Sequence, residues 1–219
     1  MSCSSWVPLA PTENDPPKMR FPFSAESSAP FGNTHRTSCD STVPLSDPHT
    51  SKADQRLIGV WRIRGETGIV IDCRFAPAGG KLPASVFRVA VSRRKPDGTT
   101  EQLDPLLLFP TTIGGKTYLN VTVGKDEKMK LLEEKGWTPE TIPPIFFLRY
   151  QVTEDTLTVQ GIDGEAKKRA IQAGKVKGES FDGGFVFMFT DTTENLAKFV
   201  AEAGDDLFSK IVVRLERAK

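Results

Sequence analysis

The chain has 219 residues, 38% of them hydrophobic, and its 29 basic side chains almost cancel its 28 acidic ones. That near-neutrality supplies no overall field to gather nucleic acid or an anionic membrane surface. No apolar run approaches the roughly 18 to 20 residues that cross a bilayer as a helix. Setting aside a polar N-terminal stretch leaves about 165 residues, the size of one well-cored domain.

Residues 1 to 53 are crowded with Pro, Ser, Thr, Asn and Asp and show no sustained apolar period. Such a stretch cannot bury enough surface to offset chain entropy, so it is expected to be an extended tether on which Trp6, Phe21, Phe23 and Phe31 are scattered apolar spots. Its opening residues lack the basic start and apolar run of a secretory signal. The first six residues, MSCSSW, resemble the start of a mature bacterial lipoprotein, where a cysteine followed by small polar residues bears the lipid and a flexible tether leads on. The resemblance implies that Cys3 is a lipid anchor and, with Ser4 after it, that the protein is an outer-membrane lipoprotein of the bacterial cell envelope facing the periplasm. Without it the chain reads as cytoplasmic. In an oxidising envelope, Cys39 and Cys73, with 33 residues between them, form a candidate disulfide, and closing that loop contributes about 3 to 4 kcal/mol. The alternative is a small buried hydrophobe at Cys73 and a thiol at Cys39.

From residue 57 the texture changes to short β-rich runs: 57–63, 68–76, 85–94, 100–113, 116–123, 145–153, 155–162, 184–190 and 210–217. Tight reversals are written at Arg64-Gly65-Glu66, Pro96-Asp97-Gly98, Gly114-Gly115 and Glu154-Asp155. Alternation is visible within the runs, with Ile69, Ile71 and Cys73 opposing Val70, Asp72 and Arg74, and with Phe87, Val89 and Val91 opposing Arg88, Ala90 and Ser92. Sheets dry on one face and wet on the other are what antiparallel strands produce, and closure into a barrel removes the edges that so many strands would otherwise expose.

Three helices interrupt the strands. KDEKMKLLEEKGW (125–137) and GEAKKRAIQAG (164–174) each stop at a glycine. The third has Asp191-Thr192-Thr193-Glu194 as its capping signal and carries Leu196, Phe199, Val200 and Ala203 at helical spacing, so it should lie against the sheet. The insertion 124–144, with its TPETIPP stretch, is either a lid or binding loop or a helix that closes one barrel end with Trp137 as a plug.

A G-x-W in the first strand (Gly59, Trp61), an antiparallel meander, and an amphipathic helix before the last strand together resemble the lipocalins and the wider calycin group. The resemblance implies that Gly59 lets the chain bend closely at the barrel base, that Trp61 plugs it, and that an arginine of a late strand covers the tryptophan; Arg214 is the candidate. Such a pair contributes about 0.5 to 2 kcal/mol. More loosely, the D-Q-R-L-x-G-x-W segment (Asp54 to Trp61), Gly114 to Leu119 and Asp155 to Leu157 resemble bacterial lipoproteins of unassigned function. The expected fold is therefore mainly β: a tether over 1–53, then a single domain over 54–219 in which an antiparallel meander closes as a calycin-like barrel or half-barrel, with an amphipathic helix near the C-terminus and one or two further short helices.

Chemistry is sparse. Both histidines, His35 and His49, fall in the tether, so no imidazole is expected in the folded domain for a triad, a general base or a metal. No C-x-x-C, H-E-x-x-H, P-loop or dinucleotide fingerprint is present, and Gly79-Gly80 and Gly183-Gly184 read as hairpin or bulge glycines. Asp72, Glu101, Asp104 and Glu165 could act as paired carboxylates only by converging, and each reads more simply as a solvated residue. The basic clusters Arg93-Arg94-Lys95 and Lys167-Lys168-Arg169 read as solvated faces. The expected protein is non-catalytic and needs no cofactor or metal. It binds a small apolar ligand or an envelope protein at a barrel mouth formed by Phe109, Leu131, Leu132 and Trp137, makes no nucleic-acid contact, and touches the membrane only through its anchor. Alternatives are an interaction or inhibitor protein with no internal cavity, and a carboxylate-based enzyme.

Overall fold

Alternation along the strands is carried directly into a closed surface in the computed structural model, which describes residues 39–65, 68–123, 126–138, 145–181, 184, 186–210 and 212–218. The barrel strands are β1 (Gly59–Arg64), β2 (Val70–Pro77), β3 (Phe87–Arg94), β4 (Thr100–Ile113), β5 (Lys116–Val123), β6 (Phe146–Val152), β7 (Thr156–Gly161) and β10 (Val213–Arg217). They close in the order β1-β10-β7-β6-β5-β4-β3-β2, every neighbouring pair antiparallel. This is an up-and-down, calycin-like barrel. Between β7 and β10 the chain leaves the wall to form α2 (Gly164–Gln172), a hairpin of β8 (Gly178–Phe181) and β9 (Val186–Phe189), and α3 (Thr193–Ala203). The run expected at 184–190 is thus β9, paired with an unforeseen β8 outside the barrel.

Register decides the faces. Trp61 stands opposite Cys73, Cys73 opposite Val91 and Val91 opposite Leu103, so these four point inward together. One irregularity breaks the alternation in β4. Val89 pairs with Leu106 but Val91 with Leu103, leaving Asp104 and Pro105 together opposite Ala90. Proline has no N–H to give the ladder, and a bulge is where a strand tolerates it. Beyond the bulge, Leu106 and Leu108 face the interior while Leu107 and Phe109 face out, and all four are buried.

They are buried because the barrel has a second core on its outer surface. Leu107, Phe109, Tyr118 and Phe147 from the strands pack with Leu132 of α1 (Asp126–Lys135), Trp137, Ala166 and Ala170 of α2, Phe189 of β9, and Leu196, Phe199 and Val200 of α3. α3 starts where the sequence marks it, with the Thr192 side chain accepting from the Asn195 N–H and three apolar residues turned to the barrel.

Residues 39–53, expected to be tether, belong to this layer. Asp40 and Ser41 donate backbone N–H groups to the Ile145 carbonyl, the Phe189 N–H donates to the Asp40 carbonyl, and the Leu45 N–H donates to the buried Asn120 Oδ1 at 2.7 Å. Leu45 is only 2% exposed. Lys167, expected on a solvated basic face, instead donates to Asp40 Oδ1 at 2.7 Å with both side chains buried. A lysine is buried this way only when it is paired and hydrogen-bonded. His49 therefore lies in the folded domain, its Nε2 at 3.3 Å from the Trp137 carbonyl oxygen.

Candidate functional site

The base of the barrel is closed. A 3-10 turn at Gln55–Leu57 crosses it, Leu57 and Trp61 are wholly buried, and the Trp61 Nε1–H donates to the Leu57 carbonyl at 2.8 Å. The guanidinium over the Trp61 ring, 4.2 Å from its centroid, belongs to Arg217. Arg217 donates as well to the carbonyls of Glu154, Ile58 and Arg56 at 2.6 to 2.8 Å. Arg214, the expected cover, points outward and reaches Thr156 Oγ1 at 3.3 Å. The correction follows from pleat: Arg217 pairs with Trp61 directly and shares its face, while Arg214 lies an odd number of residues away along β10 and so on the other face. Gly59 has φ 129°, and a Cβ there would stand 2.8 Å from Arg217 Nη1. The glycine of the G-x-W makes room for the arginine that covers the tryptophan. An open hollow of about 790 Å³ beside this lattice is lined by Arg56, Val152, Thr153, Glu154, Asp155 and Arg217, and the two guanidiniums in it are already held by backbone carbonyls and by Asp54.

Above the base the interior is filled: Phe87, Val89, Leu108, Leu119, Val121, Tyr150, Leu157 and Leu215 point inward and are buried. Toward the opposite end the inward-facing residues are different. Ile63 of β1, Ile71 and Cys73 of β2, Leu103 of β4, Leu148 of β6, Val159 of β7 and Val213 of β10 share the interior face by register yet remain partly accessible. These seven give the inner wall a set of partly accessible apolar positions, interleaved with the inward-facing and buried Val91 and Phe146. Apolar walls with few polar groups are the usual lining of small-molecule sites.

Two charged groups mark the rim. Arg93 and Glu101 face each other on the inward side of β3 and β4, with an Arg93 Nη2 to Glu101 Oε2 hydrogen bond of 2.7 Å. That bond, first among the causes, and the charge of Arg93 hold the Glu101 carboxyl below its ordinary range. On the inward face of β2, burial pushes the Cys73 thiol up to about 12, with the nearby Asp72 charge adding to it.

The remaining expected site residues are dispersed. Phe109, Leu132 and Trp137, expected at the mouth, lie in the outer core, where Phe109 and Trp137 meet edge to face with centroids 5.2 Å apart; Phe109 points outward because it alternates with Leu108. Of that set only Leu131 is exposed, at 37%. Asp72 faces out and is held by Arg62, Asp104 stands at the bulge, Glu101 is at the rim and Glu165 is in the first turn of α2, so these carboxylates do not converge. No disulfide joins Cys39 to Cys73. β2 and β6 are four strands apart in an eight-stranded barrel, and the backbone beside Cys39 is bonded to residue 145 at the edge of β6. Cys3, the expected anchor, lies outside the described residues. Among the described residues no group of three or more His, Cys, Asp or Glu side chains could hold a metal ion. The wall residues Ile63, Leu103, Leu148, Val159 and Val213 each sit at alternate positions that sequence pattern can find, but which alternate set faces in is set by register.

No family model, no curated protein and no solved structure matches the chain.

Proposed function

We propose that this protein is a non-catalytic carrier that holds one small apolar molecule in a cup at the open end of its barrel, tethered in a bacterial envelope through Cys3. The observation that carries the reading is the accessible apolar wall of Ile63, Ile71, Leu103, Leu148, Val159 and Val213 above a filled lower barrel. Burying about 200 Å² of ligand apolar surface there gives about 5 kcal/mol before association costs, which places such ligands at a Kd no tighter than about 0.2 mM. The anchor rests only on the N-terminal MSCSSW and is read independently, as an acyl adduct on Cys3 by mass spectrometry of protein from its own host.

The test is titration with the neutral fluorophore N-phenyl-1-naphthylamine, in the unsubstituted protein and in Val159→Trp and Val213→Phe, which fill the cup from neighbouring strands. Saturable fluorescence gain in the first, weakened about tenfold or more in folded filled variants, is the expected result. No gain, or equal gain in all three, overturns the reading and favours a protein that acts by its outer surface alone.

A further inference from the structure

The near-neutral overall charge hides an uneven distribution. The outer core lies against β4, β5 and β6 and, among the described residues, takes none from the outer faces of β1, β2 and β3. Register sets Arg62 and Arg64 of β1, Asp72 and Arg74 of β2, and Arg88 and Arg94 of β3 on that outer face, alternating with the inward Trp61, Cys73 and Val91. Arg214 and Glu216 continue it on β10. Arg62 is neutralised by two hydrogen bonds to Asp72, at 2.6 and 2.9 Å. Arg64, Arg74 and Arg94 are exposed, and among the described residues their side chains have no ion pair or hydrogen bond. They surround the Arg62–Asp72 pair. Arg64 and Arg94 flank Val70 on either side, so their backbones stand about 10 Å apart, and Arg74 follows Asp72 on the same face. After the Arg62 hydrogen bond, the charges of Arg94 and Arg64 help to hold the Asp72 carboxyl below its ordinary range. Among the described residues the acids on this side are Asp72, Glu216 and, at the bulge, Asp104, so positive charge stays in excess.

Every cation of this face is an arginine, and a guanidinium presents a planar fork of donors that matches a phosphate. No aromatic side chain shares the face on β1, β2 or β3; the other outward residues there are Val60, Val70, Ala76, Ala90 and Ser92. Single-stranded nucleic acid is held by a basic groove with aromatic stacking platforms, and a convex barrel wall without aromatics supplies neither. Separate cations spread over an extended surface suit a plane of repeated anionic headgroups instead. We infer that the outer face of β1, β2 and β3 is a docking surface for a bilayer rich in anionic phospholipid, with Arg64, Arg74 and Arg94 each closing on a headgroup phosphate. The contact requires neither a ligand in the barrel nor a lipid on Cys3.

The experiment is co-sedimentation of the full, unlipidated chain with vesicles of phosphatidylcholine alone and of phosphatidylcholine and phosphatidylglycerol in equal parts, at low and high salt. The mixed vesicles should bind the protein at low salt and release it at high salt, and the neutral ones should not bind it. Each arginine at an anionic surface contributes about fivefold, so Arg64→Gln, Arg74→Gln and Arg94→Gln together should weaken binding to mixed vesicles about a hundredfold. A matched loss of charge elsewhere, Lys130→Gln in α1, Lys175→Gln after α2 and Lys198→Gln in α3, all exposed, should weaken it by about threefold or less. No binding to mixed vesicles, equal binding to the two vesicle types, or equal losses in the two triple variants overturns the proposal. So does saturation by a mixed-sequence DNA duplex at a lower concentration than the vesicle lipid, which would make the face a nucleic-acid surface. Should the arginine triple variant fail to fold, Arg74→Gln decides alone: binding undiminished by it overturns the proposal.

Discussion

Gly59, Trp61 and Arg217 form a single lattice at the barrel base, and its parts fail differently. Gly59→Ala places a side chain at φ 129° and 2.8 Å from Arg217 Nη1, so it should cost about 2 kcal/mol or more from backbone strain and displacement of the arginine. Arg217→Met removes the ring contact and three carbonyl partners and should cost about 2 to 4 kcal/mol, whereas Arg214→Ala should stay within about 0.5 kcal/mol. Urea denaturation of the three variants checks the order, and equal losses at Arg214 and Arg217 would contradict the assignment. Cys73 gives a second test at this scale. A thiol pushed up to about 12 holds roughly a thousandfold less thiolate at pH 8 than an ordinary cysteine. Iodoacetamide should therefore label it far more slowly in the native protein than in urea, read at its own peptide by mass spectrometry. Labelling at the rate of an exposed thiol would mean that Cys73 is not seated in the wall.

At the scale of elements, the segment from Asp40 to Ser51 behaves as a strap fastened at each end. One end is the buried Asp40–Lys167 pair with its Phe147 N–H donor; the other is the Ser85 Oγ bond to the Pro48 carbonyl and the Ser46–Thr111 contact. Removing one member of a buried pair leaves an uncompensated charge, so Asp40→Ala should cost about 3 to 5 kcal/mol. Native-state hydrogen exchange should show amide protection lost first at Leu45 and Phe189, with the β1–β3 ladder unaffected. Loss of protection across the whole barrel at once would mean that strap and barrel are one cooperative unit. The strap was hidden in the sequence because its composition is that of a tether. Leu45 and two buried polar residues were enough to fasten it once Asn120 and Lys167, each far away along the chain, supplied partners.

For the whole molecule, several carboxylates are held below their ordinary range: Asp72 by the Arg62 hydrogen bond, the buried Asp191 by the Lys177 N–H and the Asn195 amide, and Asp205 by Lys116 and Arg149. Their folded values lie below their unfolded ones, so each favours the native state when ionised. That contribution is complete above the ordinary carboxylate range of about 4 and is lost as pH falls through the lower folded values. The urea midpoint should therefore be flat with respect to these groups from about pH 8 to pH 5 and decline below about pH 4, with a smaller decline in high salt because the pairs are exposed. A midpoint that rises on acidification would reverse the sign.

The elements were legible because each rests on local rules: alternation wrote the strands, glycine and Asp-Gly turns wrote the hairpins, and the Thr192 cap with its apolar spacing wrote α3. A barrel or half-barrel was legible from the number of strands and from the resemblance carried by the G-x-W, and the pairing of β1 with β10 decides for full closure. What the chain alone could not give was which alternate set of each strand faces inward beyond the Pro105 bulge, which arginine meets Trp61, and which apolar residues face the barrel interior rather than the outer core. Phe109, Leu132 and Trp137 have the composition of a binding mouth, yet they serve the outer layer, because a strand covered on both faces offers two apolar sets and sequence does not label them. Register, bulge and the packing of α1 to α3 against one side of the barrel make that choice, and each depends on contacts between residues far apart along the chain.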